Sequence, residues 1–151
     1  MVIDHIGIVV RSLEPAIRQW EELFGYTRSS EIVTNSRQKV RVVFLSKEDS
    51  LAVKLVEPCE PTSAVGLFAR RGGGLHHVCF RCHDMTIELP LLKEKGARFT
   101  VPPEPGEAFR NHDIAFFSIE NNLNIELIDT AEKQGRAEPI PAQCGSALYA
   151  V

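Results

Sequence analysis

The chain begins with an almost unbroken apolar run, IGIVV (6–10), and His5 stands directly before it. The run is rich in β-branched residues and too short for a helix, which predicts a strand. The period then changes. Leu13, Ile17, Trp20 and Leu23 or Phe24 recur at helical intervals, which predicts a helix with one apolar face. Ser12 is its expected N-cap, Glu14 and Pro15 suit the first turn, and Gly25 is expected to end it. VRVVFLS (40–46) and LAVKLVE (51–57) predict two strands joined by the turn KEDS. Pro58 and Pro61 close that unit. SAVGLFARR (63–71) predicts a short helix, and GGG (72–74) a linker.

The second half follows the same order. HHVCFRC (76–82) predicts a strand, and the stretch after Asp84 a helix that ends at KEKG, with Pro90 disturbing its early part. DIAFFSI (113–119) and LNIELID (123–129) predict a hairpin around ENN. From Thr130 the periodicity is lost, and 130–151 is expected to drape on the surface or to contact a partner chain.

A shift of 72 residues lays VFLSKEDSLAVKLVE (43–57) on AFFSIENNLNIELID (115–129) without a gap. The same shift lays His5 on His77 and Lys54 on Glu126. A repeat of this kind predicts an α+β fold of two paired β-α-β-β-β modules forming a concave sheet around one site. The expected boundaries are 1–72 for the first module with its linker helix, 73–129 for the second, and 130–151 for the tail. Each module alone leaves one sheet face uncovered. Pairing them brings His5, Lys54, His77 and Glu126 to a shared concavity.

Two imidazoles and a carboxylate form a good divalent-metal set, suited to zinc, cobalt, nickel, manganese or iron. Three protein ligands leave positions open, and such a centre acts as a Lewis acid that stabilises an enolate next to a carbonyl. A carboxylate such as Glu126 can then take the proton. A lone histidine on an apolar strand is more often a hydrogen-bonded core residue. Matched positions in two copies of one module shift the balance towards ligands. His76, adjacent to His77, is expected to point to the opposite face, as a support behind the site or a surface residue.

Composition narrows the picture further. With 151 residues, 44% hydrophobic, 25% charged and a net charge of −3, the chain suits one soluble domain, or two small modules on a common core. Nothing in that balance calls for nucleic acid or a membrane surface. The first residues enter a strand at once, and a cytoplasmic protein is expected. Cys59, Cys79, Cys82 and Cys144 are expected to be free thiols, since Cys79 and Cys82 point to opposite faces of their strand.

At these residues the chain resembles the vicinal oxygen chelate superfamily, which includes glyoxalase I, bleomycin-resistance proteins and extradiol dioxygenases, and most of all its methylmalonyl-CoA epimerase branch. The carriers are DHIGIVVRSLEPA, LFGY, VRVVFL, KLVEP, SAVGLFARRGGGLHHVCFRC, LKEKGARF and IELID, from about residue 3 to 129. The resemblance implies a metal held by His5, His77 and Glu126, and a homodimer. It also implies an acyl-CoA or another small carbonyl compound as substrate. The branch has Glu or Gln as a further ligand where this chain has Lys54. Three arrangements are open. Lys54 turns away and leaves a two-histidine, one-carboxylate site. Lys54 sits uncharged in the cavity, as a base or a grip for an anionic substrate. Or the site is metal-free and Lys54 pairs with Glu126. The branch usually has a glycine-rich loop where this chain has PGEAFRNHDIAFF (105–117), so Arg110 and Asn111 are candidates for reading a polar group of the substrate. The implied function is that of a small metal-dependent isomerase or lyase acting next to a carbonyl, with Glu126 or Lys54 moving the proton. The alternatives are an Fe(II) dioxygenase on the same residues and a metal-free small-molecule-binding protein.

Overall fold

The structure is a computed structural model and describes residues 1–135. Nine strands and three helices follow in the order β1 (Val2–Val9), α1 (Leu13–Phe24), β2 (Thr27–Arg28), β3 (Val33–Asn35), β4 (Val40–Ser46), β5 (Ala52–Pro58), α2 (Gly66–Arg70), β6 (Gly74–Arg81), α3 (Met85–Glu94), β7 (Arg98–Gly106), β8 (His112–Ser118) and β9 (Asn124–Ile128). Short 3-10 turns at Glu107–Phe109 and Glu120–Asn122 flank β8.

The strands make one sheet in the order β2-β4-β5-β1-β6-β9-β8-β7, with β3 also on β4. The first-module strands lie on one side of β1 and the second-module strands on the other side of β6. β1 and β6 pair antiparallel at the seam. On either side, β1 pairs with β5 and β6 with β9, both parallel. The expected pair of modules is therefore one continuous sheet with an approximate twofold between β1 and β6.

Alternation along the strands divides the core. Val43, Leu45, Val53 and Leu55 face outward under α1, where they meet Leu13 and Ile17. Ala115, Phe117, Ile125 and Leu127 do the same near α3 and Met85. The intervening Val42, Phe44, Val56, Ile114 and Ile128 face the inner side, with Phe109 among them. Each such fully buried aliphatic or aromatic side chain stabilises the fold by roughly 1.5–3 kcal/mol. Cys79 and Cys82 belong to different clusters and are free thiols.

Four local features refine the expected pattern. Ser12 occupies the N-cap of α1, but its side chain makes no capping bond. The Glu57 carboxylate reaches across from β5 and accepts from Leu13 N at 2.9 Å instead. The helix at 63–71 narrows to Gly66–Arg70. Strand β7 runs through Pro102, Pro103 and Pro105, which an edge strand tolerates because its outer N–H row has no partner to satisfy. Of the tail expected over 130–151, residues 130–135 fold back onto the domain, with Gln134 N donating to Ala108 O at 2.9 Å and Glu31 N to Gly135 O at 3.1 Å. The remainder lies outside the described residues. Among the described residues, no helix is long and apolar enough to cross a membrane.

Candidate functional site

The four central strands each contribute one residue. Lys54 comes from β5, His5 from β1, His77 from β6 and Glu126 from β9. Register places them in two rows. Lys54, Gly7 and His77 are neighbours in one, and His5, Cys79 and Glu126 in the other. The small residues Gly7 and Cys79 separate the functional ones, so imidazoles and carboxylate lean towards a common point. All four are buried, with relative exposures of 0% for His5, 4% for Lys54, 2% for His77 and 0% for Glu126.

Glu126 is the hub. Its Oε1 accepts from Lys54 Nζ at 2.7 Å. Its Oε2 lies 2.9 Å from His5 Nε2 and 3.2 Å from His77 Nε2. The His77 contact is close, but its direction makes no hydrogen bond, so His77 Nε2 is a buried nitrogen without a partner. Burial alone raises the Glu126 carboxyl, but the Lys54 cation, the neighbouring His77 and the contact with His5 outweigh it and hold it well below the usual range. Burial pulls the His77 imidazole down to about 4, although Glu126 works against this.

Two β-bulges complete the arrangement. In the β1–β6 ladder the register slips between Ile3 and His5, which leaves Asp4 as the extra residue. It slips again between Gly7 and Ile8, where His76 is the extra residue on β6. A bulge breaks strict alternation. Asp4 therefore reaches the Nδ1–H of His5, which donates to its Oδ1 at 2.8 Å. His76 likewise swings to the side of His77, and the two Nδ1 atoms lie 2.9 Å apart. This corrects the expectation that His76 points to the opposite face. Asp4 and His76 are themselves related by the 72-residue repeat. Each bulged residue holds the rear nitrogen of the histidine that follows it.

Nε2 of His5, Nε2 of His77 and a Glu126 oxygen lie within 4.8 Å of one another. His5 has a carboxylate oxygen at each ring nitrogen, and a neutral imidazole carries only one N–H. An imidazolium that donates to both carboxylates satisfies these contacts, and so does a metal cation between a bare Nε2 and Glu126 Oε2 with Nδ1–H on Asp4. The orphaned Nε2 of His77 turns to the same place. The donor set thus fits a divalent ion with three protein ligands, and it is held from behind as metal-binding histidines commonly are. Lys54 takes the other oxygen of Glu126 and adds no ligand.

A cavity of about 530 Å³ reaches this cluster. Lys54, His76, His77 and Asn124 line its inner end, Val42, Val56, Val65 and Phe116 its apolar walls, and Arg37 and Lys39 its charged surroundings. A wider hollow of about 690 Å³ beside Arg11, Cys59 and Arg70 holds none of the four site residues. On the far side of the cluster, Lys133 donates to Asp4 Oδ1 at 2.8 Å, with its Nζ 5.2 Å from the Phe44 ring centroid and 5.1 Å from that of Phe109. Burial would raise Asp4, but the bonds from His5 and Lys133 hold it at about 2. Arg110 and Asn111 are not brought to the cavity. Both are exposed in the turn before β8, and Arg110 faces Glu132 at 3.5 Å. Asp4 and Lys133 are the residues that the sequence pattern did not single out, and His76 is one that it set on the wrong face.

Known proteins share the sequence pattern and the fold. A Bacillus subtilis (strain 168) protein, the uncharacterized YqjC, is 31% identical over 134 residues, which cover 88% of this chain and 93% of that one. The ethylmalonyl-CoA/methylmalonyl-CoA epimerase of Cereibacter sphaeroides is 28% identical over 108 residues, 68% of this chain and 77% of its own. The crystal structure of methylmalonyl-CoA epimerase from Mycobacterium tuberculosis superposes with a TM-score of 0.75 at 25% identity, covering 85% of this chain and 87% of that one. A methylmalonyl-CoA epimerase in complex with methylmalonyl-CoA and NH4+ gives 0.74 at 27% identity, covering 87% and 96%. Residues 4–116 match the profile of the Glyoxalase/Bleomycin resistance protein/Dioxygenase superfamily, and the chain belongs to that superfamily.

Proposed function

We propose that the chain is a metal-dependent isomerase or lyase that moves a proton next to the carbonyl of an acyl-CoA or a related small acid. The observation that carries this reading is the buried set of His5, His77 and Glu126, which an apolar-walled cavity reaches at His77 and Lys54. The epimerase relatives, one of which is described in complex with methylmalonyl-CoA, support the substrate class.

In this reading His5, His77 and Glu126 hold the ion. When bound, it supplies Lewis acidity that makes the C–H beside a substrate carbonyl more acidic. The residues of the chain do the rest. Asp4 and His76 orient the two imidazoles from behind. Val42, Val56, Val65 and Phe116 exclude water around the reacting carbon. Glu126 is held ionised and is therefore a weak base. Lys54 lies beside it, with Nζ 2.7 Å from Glu126 Oε1. As a neutral amine it takes the proton from the substrate carbon, and as the resulting ammonium it returns the proton.

Two measurements test this. Metal content is read by mass spectrometry on untagged protein and on Glu126→Ala. Exchange of the acidic C–H of methylmalonyl-CoA with deuterated water is followed by NMR. Stoichiometric metal that is lost in the variant, together with exchange that is lost in Lys54→Met, is the expected result. Absence of metal after incubation with Zn, Co, Ni, Mn and Fe ions overturns it.

One observation favours a second reading. The 2.7 Å ion pair between Lys54 and Glu126 already balances the carboxylate without a metal. A metal-free small-molecule-binding protein predicts no bound ion and no exchange.

A further inference from the structure

The bulge that turns His76 towards His77 also leaves its ring lining the cavity, half-buried, next to the inner end. Among the described residues its only hydrogen-bond partner is His77, through Nδ1 at 2.9 Å, and Nε2 has no protein partner. One of the two Nδ1 atoms carries the hydrogen of this bond and the other accepts it. If His77 binds a metal through Nε2, that nitrogen is bare and its hydrogen sits on Nδ1. His77 then donates to His76. His76 accepts at Nδ1, and the single hydrogen of its neutral ring is placed on Nε2, at the cavity.

We infer that His76 contacts the substrate, donating from Nε2–H to an oxygen of the bound ligand, and that His77 holds it in the tautomer that does so. The inner end then offers two donors, this N–H and the Lys54 ammonium, against apolar walls. That combination suits a ligand with two nearby oxygen acceptors, such as a carboxylate beside a carbonyl. The inference rests on His77 being a metal ligand. It deepens that reading by assigning the group that meets the ligand. In the opposite tautomer, with a hydrogen on His77 Nε2, His76 presents a bare nitrogen and repels the same oxygen.

The test is proton-detected NMR on protein labelled with nitrogen-15 in histidine, metal-free and after loading with zinc, with metal content measured on the same sample. The expected result for the zinc form is His77 protonated at Nδ1 and His76 protonated at Nε2 alone. Titration with oxalate, a small dianion rich in acceptors, is expected to shift the His76 Nε2–H signal. His76→Phe keeps a ring beside Phe68, whose centroid lies 6.1 Å from that of His76. Compared at saturating zinc, this variant is expected to bind oxalate about tenfold more weakly, the worth of one hydrogen bond. A His76 protonated at Nδ1 in the zinc form overturns the inference while leaving the metal reading intact. So does unchanged oxalate affinity in His76→Phe. Failure of the wild-type protein to hold zinc overturns the metal reading, and the donor state of His76 with it.

Discussion

Gly7 and His77 stand opposite each other across the β1–β6 ladder, and the His77 imidazole lies in the space that a side chain on Gly7 would fill. The backbone at Gly7 is ordinary extended strand, so the requirement is one of space. Gly7→Ala should push the ring out of line with His5 and Glu126. We expect a loss of about 1–3 kcal/mol, typical of an overpacked core, with metal affinity falling more than tenfold. Urea unfolding and metal titration of the one variant check both parts. Unchanged metal affinity would show that the ring has room to move.

The Lys54–Glu126 pair sets up a double-mutant cycle. Glu126→Ala leaves a buried ammonium uncompensated and should cost about 3–5 kcal/mol. Lys54→Met leaves the carboxylate facing two imidazoles and should cost less. The combination Lys54→Met with Glu126→Leu should recover most of the loss. Additive costs in denaturant unfolding would contradict a direct pair.

Stability should fall steadily with acid. The His77 imidazole is pulled down to about 4 by burial, so between pH 6.5 and 4 the unfolded chain takes up a proton that the folded chain refuses. Stability therefore drops as the pH falls through that window, by up to about 3 kcal/mol. Asp4 and Glu126 act lower down. Their folded carboxyls lie below the ordinary values, so their contribution is complete above the ordinary carboxylate range and is lost as the pH falls further. Urea midpoints at pH 7.5, 5.5 and 4.5 check the slope. A flat profile above pH 5 would contradict a His77 buried neutral.

Lys133 should matter more than a tail residue ordinarily does. It is only 13% exposed, bonds Asp4 and sits over two aromatic rings. Lys133→Met keeps the stem and removes the charge. We expect about 2 kcal/mol of lost stability and a rise of the Asp4 carboxyl from about 2, readable by carbon-13 NMR titration.

Much of this architecture was legible because it is written twice. The 72-residue offset linked His5 to His77 and Lys54 to Glu126 before any strand was paired. What escaped was local geometry that periodicity does not encode. His76 and Asp4 reach the site through bulges, and a bulge leaves no mark on the hydrophobic pattern. Strand β7 was hidden by its three prolines, which an edge position permits. Glu57 caps α1 from 44 residues away, and no nearby sequence signal points to it. Lys133 belongs to a stretch without periodicity, and only the folded core brings Asp4, Phe44 and Phe109 to it.

The antiparallel seam between β1 and β6 has an implication for assembly. A half-chain beginning at β6 would expose that strand as an open edge, and two copies would pair through it about a true axis. The resulting centre would set one Glu126 against another, two carboxylates that only a captured ion or protons reconcile. In the full chain Lys54 stands in the place of the second carboxylate. The domain thus carries its own counter-ion to the carboxylate at its centre.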